Sequence, residues 1–122
     1  MHKILFITNG RLDLTLENAS FGKHYKDPSD NVKSFFSTKN EIQLISDDIG
    51  KFTSWGLIEL IPDAGKLPII NACVTGDNWG WFATAHLVLE KDGQIIFNDN
   101  FQSGLIGPVG NPTTHKSYPV QT

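Results

Sequence analysis

The sequence predicts an all-β protein, a two-sheet antiparallel β-sandwich, and three observations carry that expectation. Residues 79–90 alternate: Trp79, Trp81, Ala83, Ala85, Leu87 and Leu89 fall on one face of an extended strand, and Phe82, Thr84, His86, Val88 and Glu90 on the other. This is the two-residue period of a strand with one dry side. Leu12, Leu14 and Leu16 alternate in the same way with Asp13, Thr15 and Glu17, the pattern of a sheet packed on one side only. No helical period persists with caps, and short apolar runs recur between clusters of Asn, Asp, Gly and Pro, which is the punctuation of a sandwich.

Taken in order, Lys3 to Thr8 reads as a first strand, and Asn9-Gly10 reverses it into a hairpin with the Leu12-to-Leu16 strand. Asn18 to Tyr25 extends or bends that hairpin, because Gly22 admits a bulge beside Phe21, His24 and Tyr25. Lys26 to Asn31 holds Asp27, Pro28, Ser29 and Asp30, a turn cluster. Val32 to Phe36 reads as a short strand without a clean period, and Glu41 to Ile45 as a clearer one, before the polar turn from Ser46 to Gly50. Trp55 to Ile61 follows, interrupted by Gly56 and ended by Pro62, and Pro68 to Cys73 suits a further strand. After the long alternating stretch, Lys91-Asp92-Gly93 supplies a tight reversal, so that Gln94 to Phe97 returns against Leu87 to Glu90. Beyond Asp99 the pattern weakens. Phe101, Leu105, Ile106 and Val109 stand among glycines and prolines, which reads as irregular chain covering a sheet edge.

A chain of 122 residues has room for a single β-sandwich domain, residues 1–122, and is short for two ordinary ones. The net charge of −3 gives no basic footprint, so no nucleic-acid partner is expected. One cysteine excludes an internal disulfide and a cysteine zinc cluster. Ile4 to Ile7 is too short for a signal-peptide core or a membrane span. The expectation is a soluble protein, cytoplasmic or released without a classical signal peptide, with peripheral attachment to a membrane left open.

Cys73 and His86 pose an enzyme reading, since a thiolate nucleophile needs a base, and Asn71 or Asp77 is available to orient that base. A cysteine among apolar neighbours is more often a small buried side chain, and no catalytic residue is expected. His2, His24, His86 and His115 are too dispersed for a metal motif. The acidic turns at Asp27-Asp30, Asp47-Asp48 and Asp92 lack the oxygen-ligand spacing of a calcium loop, and Gly104 to Gly110 lacks the lysine of a phosphate loop. Neither a metal nor a cofactor is expected. The aromatics offer another chemistry. Phe21 and Tyr25 stand beside Lys23, His24 and Lys26, and Trp55 opens a strand. Such rings enter the zone between lipid headgroups and acyl chains while nearby cations meet phosphate. Trp79 and Trp81 share the dry face and are expected in the core.

Two patches resemble the aegerolysin family of small haemolysin-like β-sandwich proteins. One is Ile7-Thr8-Asn9 with the segment LDLTLENASFGK from Leu12 to Lys23, similar to that family's early strand pair and aromatic-Gly-Lys turn. The other is Ile70-Asn71-Ala72-Cys73 before a Gly/Asp-rich turn and a long strand. Ile45-Ser46, Gly50-Lys51 and Ile61-Pro62 lie between them in the same order. Phe21 stands where the family usually has tryptophan, Val74 where glycine follows the cysteine, and the Phe97-Asn98-Asp99 region lacks the family's second cysteine and its tryptophans. The resemblance implies binding to specific membrane lipids, sphingolipid among them, as a haemolysin or as the lipid-recognition component of a system with a separate pore-forming protein. Phe21, Lys23, Tyr25, Lys26 and Trp55 are the lipid-contact candidates. The alternatives are a soluble carbohydrate- or protein-binding sandwich, and a thiol enzyme built on Cys73 and His86.

Overall fold

A computed structural model describes residues 1–26, 32–46, 54–76, 82–103 and 112–121. They form the strands β1 (His2–Asn9), β2 (Arg11–Glu17), β3 (Ala19–Lys26), β4 (Val32–Thr38), β5 (Glu41–Ser46), β6 (Ser54–Pro62), β7 (Ile69–Thr75), β8 (Thr84–Lys91), β9 (Gln94–Gln102) and β10 (Thr113–Pro119). The first sheet has the order β3-β6-β1-β8-β9 and the second β10-β7-β2-β5-β4. Every pairing is antiparallel. The fold is the all-β, two-sheet arrangement that the alternating pattern predicts.

The core is the sum of the inward faces. Ile4 and Phe6 of β1, Leu12, Leu14 and Leu16 of β2, Ile42 and Leu44 of β5, and Ile58 and Leu60 of β6 are buried. Ile70, Ala72 and Val74 of β7 and Ala85, Leu87 and Leu89 of β8 belong to it as well, with Ala19, Ala83 and Val120. Each fully buried leucine or isoleucine contributes roughly 1.5–3 kcal/mol. Gly56, which looks like an interruption in its strand, lies opposite Phe6 in the ladder and leaves room for that ring.

The Asn9-Gly10 reversal does not make a hairpin. β1 pairs with β6 and β8, whereas β2 belongs to the other sheet and pairs with β5 and β7. Gly10, at φ 108°, turns the chain through a corner between layers, and Asn18, at φ 59°, takes it back. One-sided alternation is satisfied as well by a facing sheet as by a neighbouring strand, so local pattern could not separate the two. Among the described strands, only β4–β5 and β8–β9 are hairpins between consecutive strands; the other consecutive strands lie in different sheets. The β8–β9 turn is the expected one: Asp92 (φ 51°) and Gly93 (φ 84°) are the two positive-φ residues between the paired Lys91 and Gln94.

The stretch after Asp99 is also more regular than its sequence suggests. β9 runs on to Gln102, and Thr113–Pro119 adds an edge strand to the second sheet against β7. No side chain of β10 is fully buried, so this strand offers no apolar alternation to read. Trp79 and Trp81, together with the turns around Asp27-Asp30, Asp47-Asp48 and Gly104 to Gly110, lie outside the described residues.

Candidate functional site

Alternation gives each sheet an outer face as well as an inner one. On the first sheet, register sets Tyr25 of β3 opposite Leu57 of β6, Leu57 opposite Leu5 of β1, and Leu5 opposite Val88 of β8, a row across four strands. The neighbouring row runs Trp55, Ile7, His86 and Asn100. Trp55 is 47% exposed and Tyr25 39%, while Leu5, Ile7, Leu57 and Val88 are half-buried. The outer face of an antiparallel sheet is ordinarily polar, and contiguous apolar rows on it mark a surface built to meet something. A third row is charged, with Glu59 opposite Lys3 and Lys3 opposite Glu90.

Tyr25 is held at two points. Its Oη donates to Glu59 Oε1 at 3.3 Å, and Lys23 Nζ lies 4.8 Å from its ring centroid. The turn around Gly22 explains the arrangement. The β3–β6 ladder slips between Phe21 and His24 by one residue, the bulge that Gly22 admits. Phe21 and Tyr25 have the same parity in the sequence, yet the slip sends them to opposite sides of the sheet. Tyr25 faces out opposite Leu57, and Phe21 stands opposite the buried Leu60 and packs, half-buried, against the core.

Of the lipid-contact candidates, Lys23, Tyr25 and Trp55 therefore share the outer face, and Phe21 does not. The side chain of Lys26 lies outside the described residues. Leu5, Ile7, Leu57 and Val88 were not among the candidates. For Leu5 and Ile7 the signal was the run from Ile4 to Ile7, which is apolar on both strand faces and so carries more apolar surface than a one-sided strand requires. Beside the Ile7 row is a recess of about 380 Å³, lined by Ile7, Thr84, Ala85, His86, Asn100, Phe101 and Gln102.

The proposed Cys73–His86 pair does not form. His86 is on β8 of the first sheet and bonds through Nε2 to Asn98 Oδ1, whereas Cys73 is on β7 of the second sheet. Both point outward, so the whole sandwich separates them. Nor is Cys73 a core residue; it is half-buried on the outer face. The ladder instead sets it opposite His115 of β10, with Sγ 3.8 Å from Nε2. Asn71 is committed elsewhere: it accepts from Ser117 Oγ at 2.6 Å and donates to Glu17 Oε2 at 2.8 Å. A depression of about 300 Å³ lies over Asp13, Thr15, Asn71, Cys73, His115 and Ser117. β7 is paired on both sides, so its amides are committed to ladders and do not form an oxyanion site beside the thiol. Asp77 lies outside the described residues.

Among the described residues no three His, Cys, Asp or Glu side chains converge as a metal-ligand set, and no helix is long and apolar enough to cross a membrane. Compared with protein-family models, curated proteins and solved structures, the chain matches none.

Proposed function

We propose that this β-sandwich is a recognition module that docks on a lipid surface through the outer face of its first sheet. The observation that carries the reading is the pair of solvent-facing rows, Tyr25–Leu57–Leu5–Val88 and Trp55–Ile7. Tryptophan and tyrosine combine apolar area with a polar edge, which suits the boundary between headgroups and acyl chains. Lys23 at the Tyr25 ring brings one cation to the level where phosphate would lie. The resemblance of LDLTLENASFGK and Ile70-Asn71-Ala72-Cys73 to aegerolysins supports the same reading, and from it follow sphingolipid as the lipid class and a separate pore-forming protein as the partner.

The test is quantitative binding to defined liposomes that differ in one headgroup at a time. Saturable binding that prefers one headgroup is expected, and Trp55→Ala should weaken it roughly tenfold or more, the loss of one buried aromatic contact. Equal absence of binding across the panel removes the reading. Binding that persists unchanged in Trp55→Ala and Tyr25→Ala moves the contact surface away from this face.

A further inference from the structure

The recess beside the apolar rows has a chemistry of its own. Its outward side chains are Thr84, His86, Asn100 and Gln102, with Ile7 as an apolar wall. No lysine, arginine, aspartate or glutamate is among its described lining residues. Among these described residues an anionic ligand would find no lysine or arginine, and a cationic ligand no carboxylate. A neutral ligand with adjacent hydroxyls is met differently, because each amide both donates and accepts and the threonine hydroxyl does the same.

Two further features point to the same ligand class. His86 lies against Asn98 Oδ1 through Nε2, which fixes the ring and leaves Nδ1 as the acceptor when Nε2 carries the proton. Ile7 stands opposite the exposed Trp55 in the ladder, so one side of the recess passes into an aromatic surface. A pyranose ring is amphipathic in this sense, with C–H faces for indole and aliphatic contact and hydroxyls at its edge for amides. A volume of about 380 Å³ is at the small end of the roughly 300–1,000 Å³ range for ligand sites, which suits a terminal sugar rather than a long chain.

We propose that this recess binds a neutral hexopyranose, offered either as the headgroup of a glycolipid or as the end of a soluble glycan. The glycolipid source rests on the lipid-docking reading above; the sugar chemistry rests on the recess alone. Docking the apolar rows on a bilayer would bring the recess, on the same face, to headgroup level.

The experiment has two arms. In one, methyl β-glucopyranoside, methyl β-galactopyranoside and methyl α-mannopyranoside are titrated against the protein, and the side-chain amide resonances of Asn100 and Gln102 are followed by NMR. In the other, phosphatidylcholine vesicles with and without monohexosylceramide are compared. At least one glycoside should shift those resonances saturably, and hexosylceramide should tighten vesicle binding. Asn100→Ala and Gln102→Ala should each reduce both sugar responses roughly tenfold while binding to plain phosphatidylcholine stays as in the parent; an unchanged thermal midpoint confirms that they fold. Asn100→Asp, nearly isosteric, should also weaken the sugar response. Glycoside binding without vesicle binding supports the sugar site and removes the lipid reading. Vesicle binding with no response to any glycoside and no gain from hexosylceramide overturns the sugar site and leaves the lipid reading standing. A sugar response that is unchanged in both alanine variants also overturns it.

Discussion

A methyl group at position 56 would collide with the core. An added Cβ on Gly56 would stand 2.6 Å from Phe6 Cζ and 2.8 Å from Cε1, and the ring is enclosed between the sheets. Gly56→Ala should therefore lower stability by about 1–3 kcal/mol, read as an earlier urea midpoint at unchanged slope. His2 poses a different problem. It is buried, and its Nε2 has no hydrogen-bond partner. Burial first, and then the Lys91 cation, hold its pKa below the ordinary imidazole value. As pH falls below about 6.5, the ordinary value, the unfolded chain takes up the proton before the folded one does. Stability should therefore decline from about pH 7 to 5, and His2→Leu should flatten that slope in urea unfolding. An equally steep decline in the variant would assign the acid sensitivity to another group.

At the scale of elements, the edge strands β9 and β10 close one side of the sandwich. Tyr118 Oη donates to Asp99 Oδ2 at 2.8 Å and Lys116 Nζ donates to the same oxygen at 3.1 Å. The Tyr118 ring stacks on Phe97 with centroids 4.6 Å apart. The Tyr118 hydrogen bond first, and the Lys116 bond second, hold the Asp99 carboxyl below its ordinary pKa. Burial, and then the Asp99 carboxylate, push the Tyr118 phenol up. With Asp99 and Lys116 each about one-third exposed or more, solvent screening keeps the ion pair's share small. Tyr118→Phe keeps the stack and removes the hydroxyl, so it should cost about 1 kcal/mol at neutral pH. The Asp99 contribution is present above the ordinary carboxylate value and is lost as pH falls through the depressed one. The variant should therefore lose less stability than the parent on acidification below about pH 4, which chemical unfolding in that range would measure. None of this closure was legible in the sequence, because the side chains of Thr113–Pro119 alternate between exposed and half-buried and give the strand no dry side. The bulge was legible at Gly22, but its effect on Phe21 and Tyr25 was not: which ring faces out depends on where the extra residue falls against β6.

The molecule as a whole carries a net charge of −3, while its candidate binding face is apolar at the centre with Lys23 at one side. Lipid docking of this kind draws on burial more than on long-range attraction. Replacing part of a neutral vesicle with phosphatidylserine should accordingly leave binding no tighter, as measured by cosedimentation; a large gain on anionic vesicles would place the contact on a basic surface instead. The sequence alone determined which side chains alternate inward. Leu12, Leu14 and Leu16, like Ala85, Leu87 and Leu89, could be assigned to the core because the two-residue period is a property of the local backbone. Tertiary structure alone decided which strands became neighbours. It put β1 and β2 in different sheets, set Cys73 against His115 rather than His86, and lined Tyr25 and Trp55 up with Leu57, Leu5 and Ile7. Those choices follow from burying all the inward faces at once, and no single strand contains the information for that.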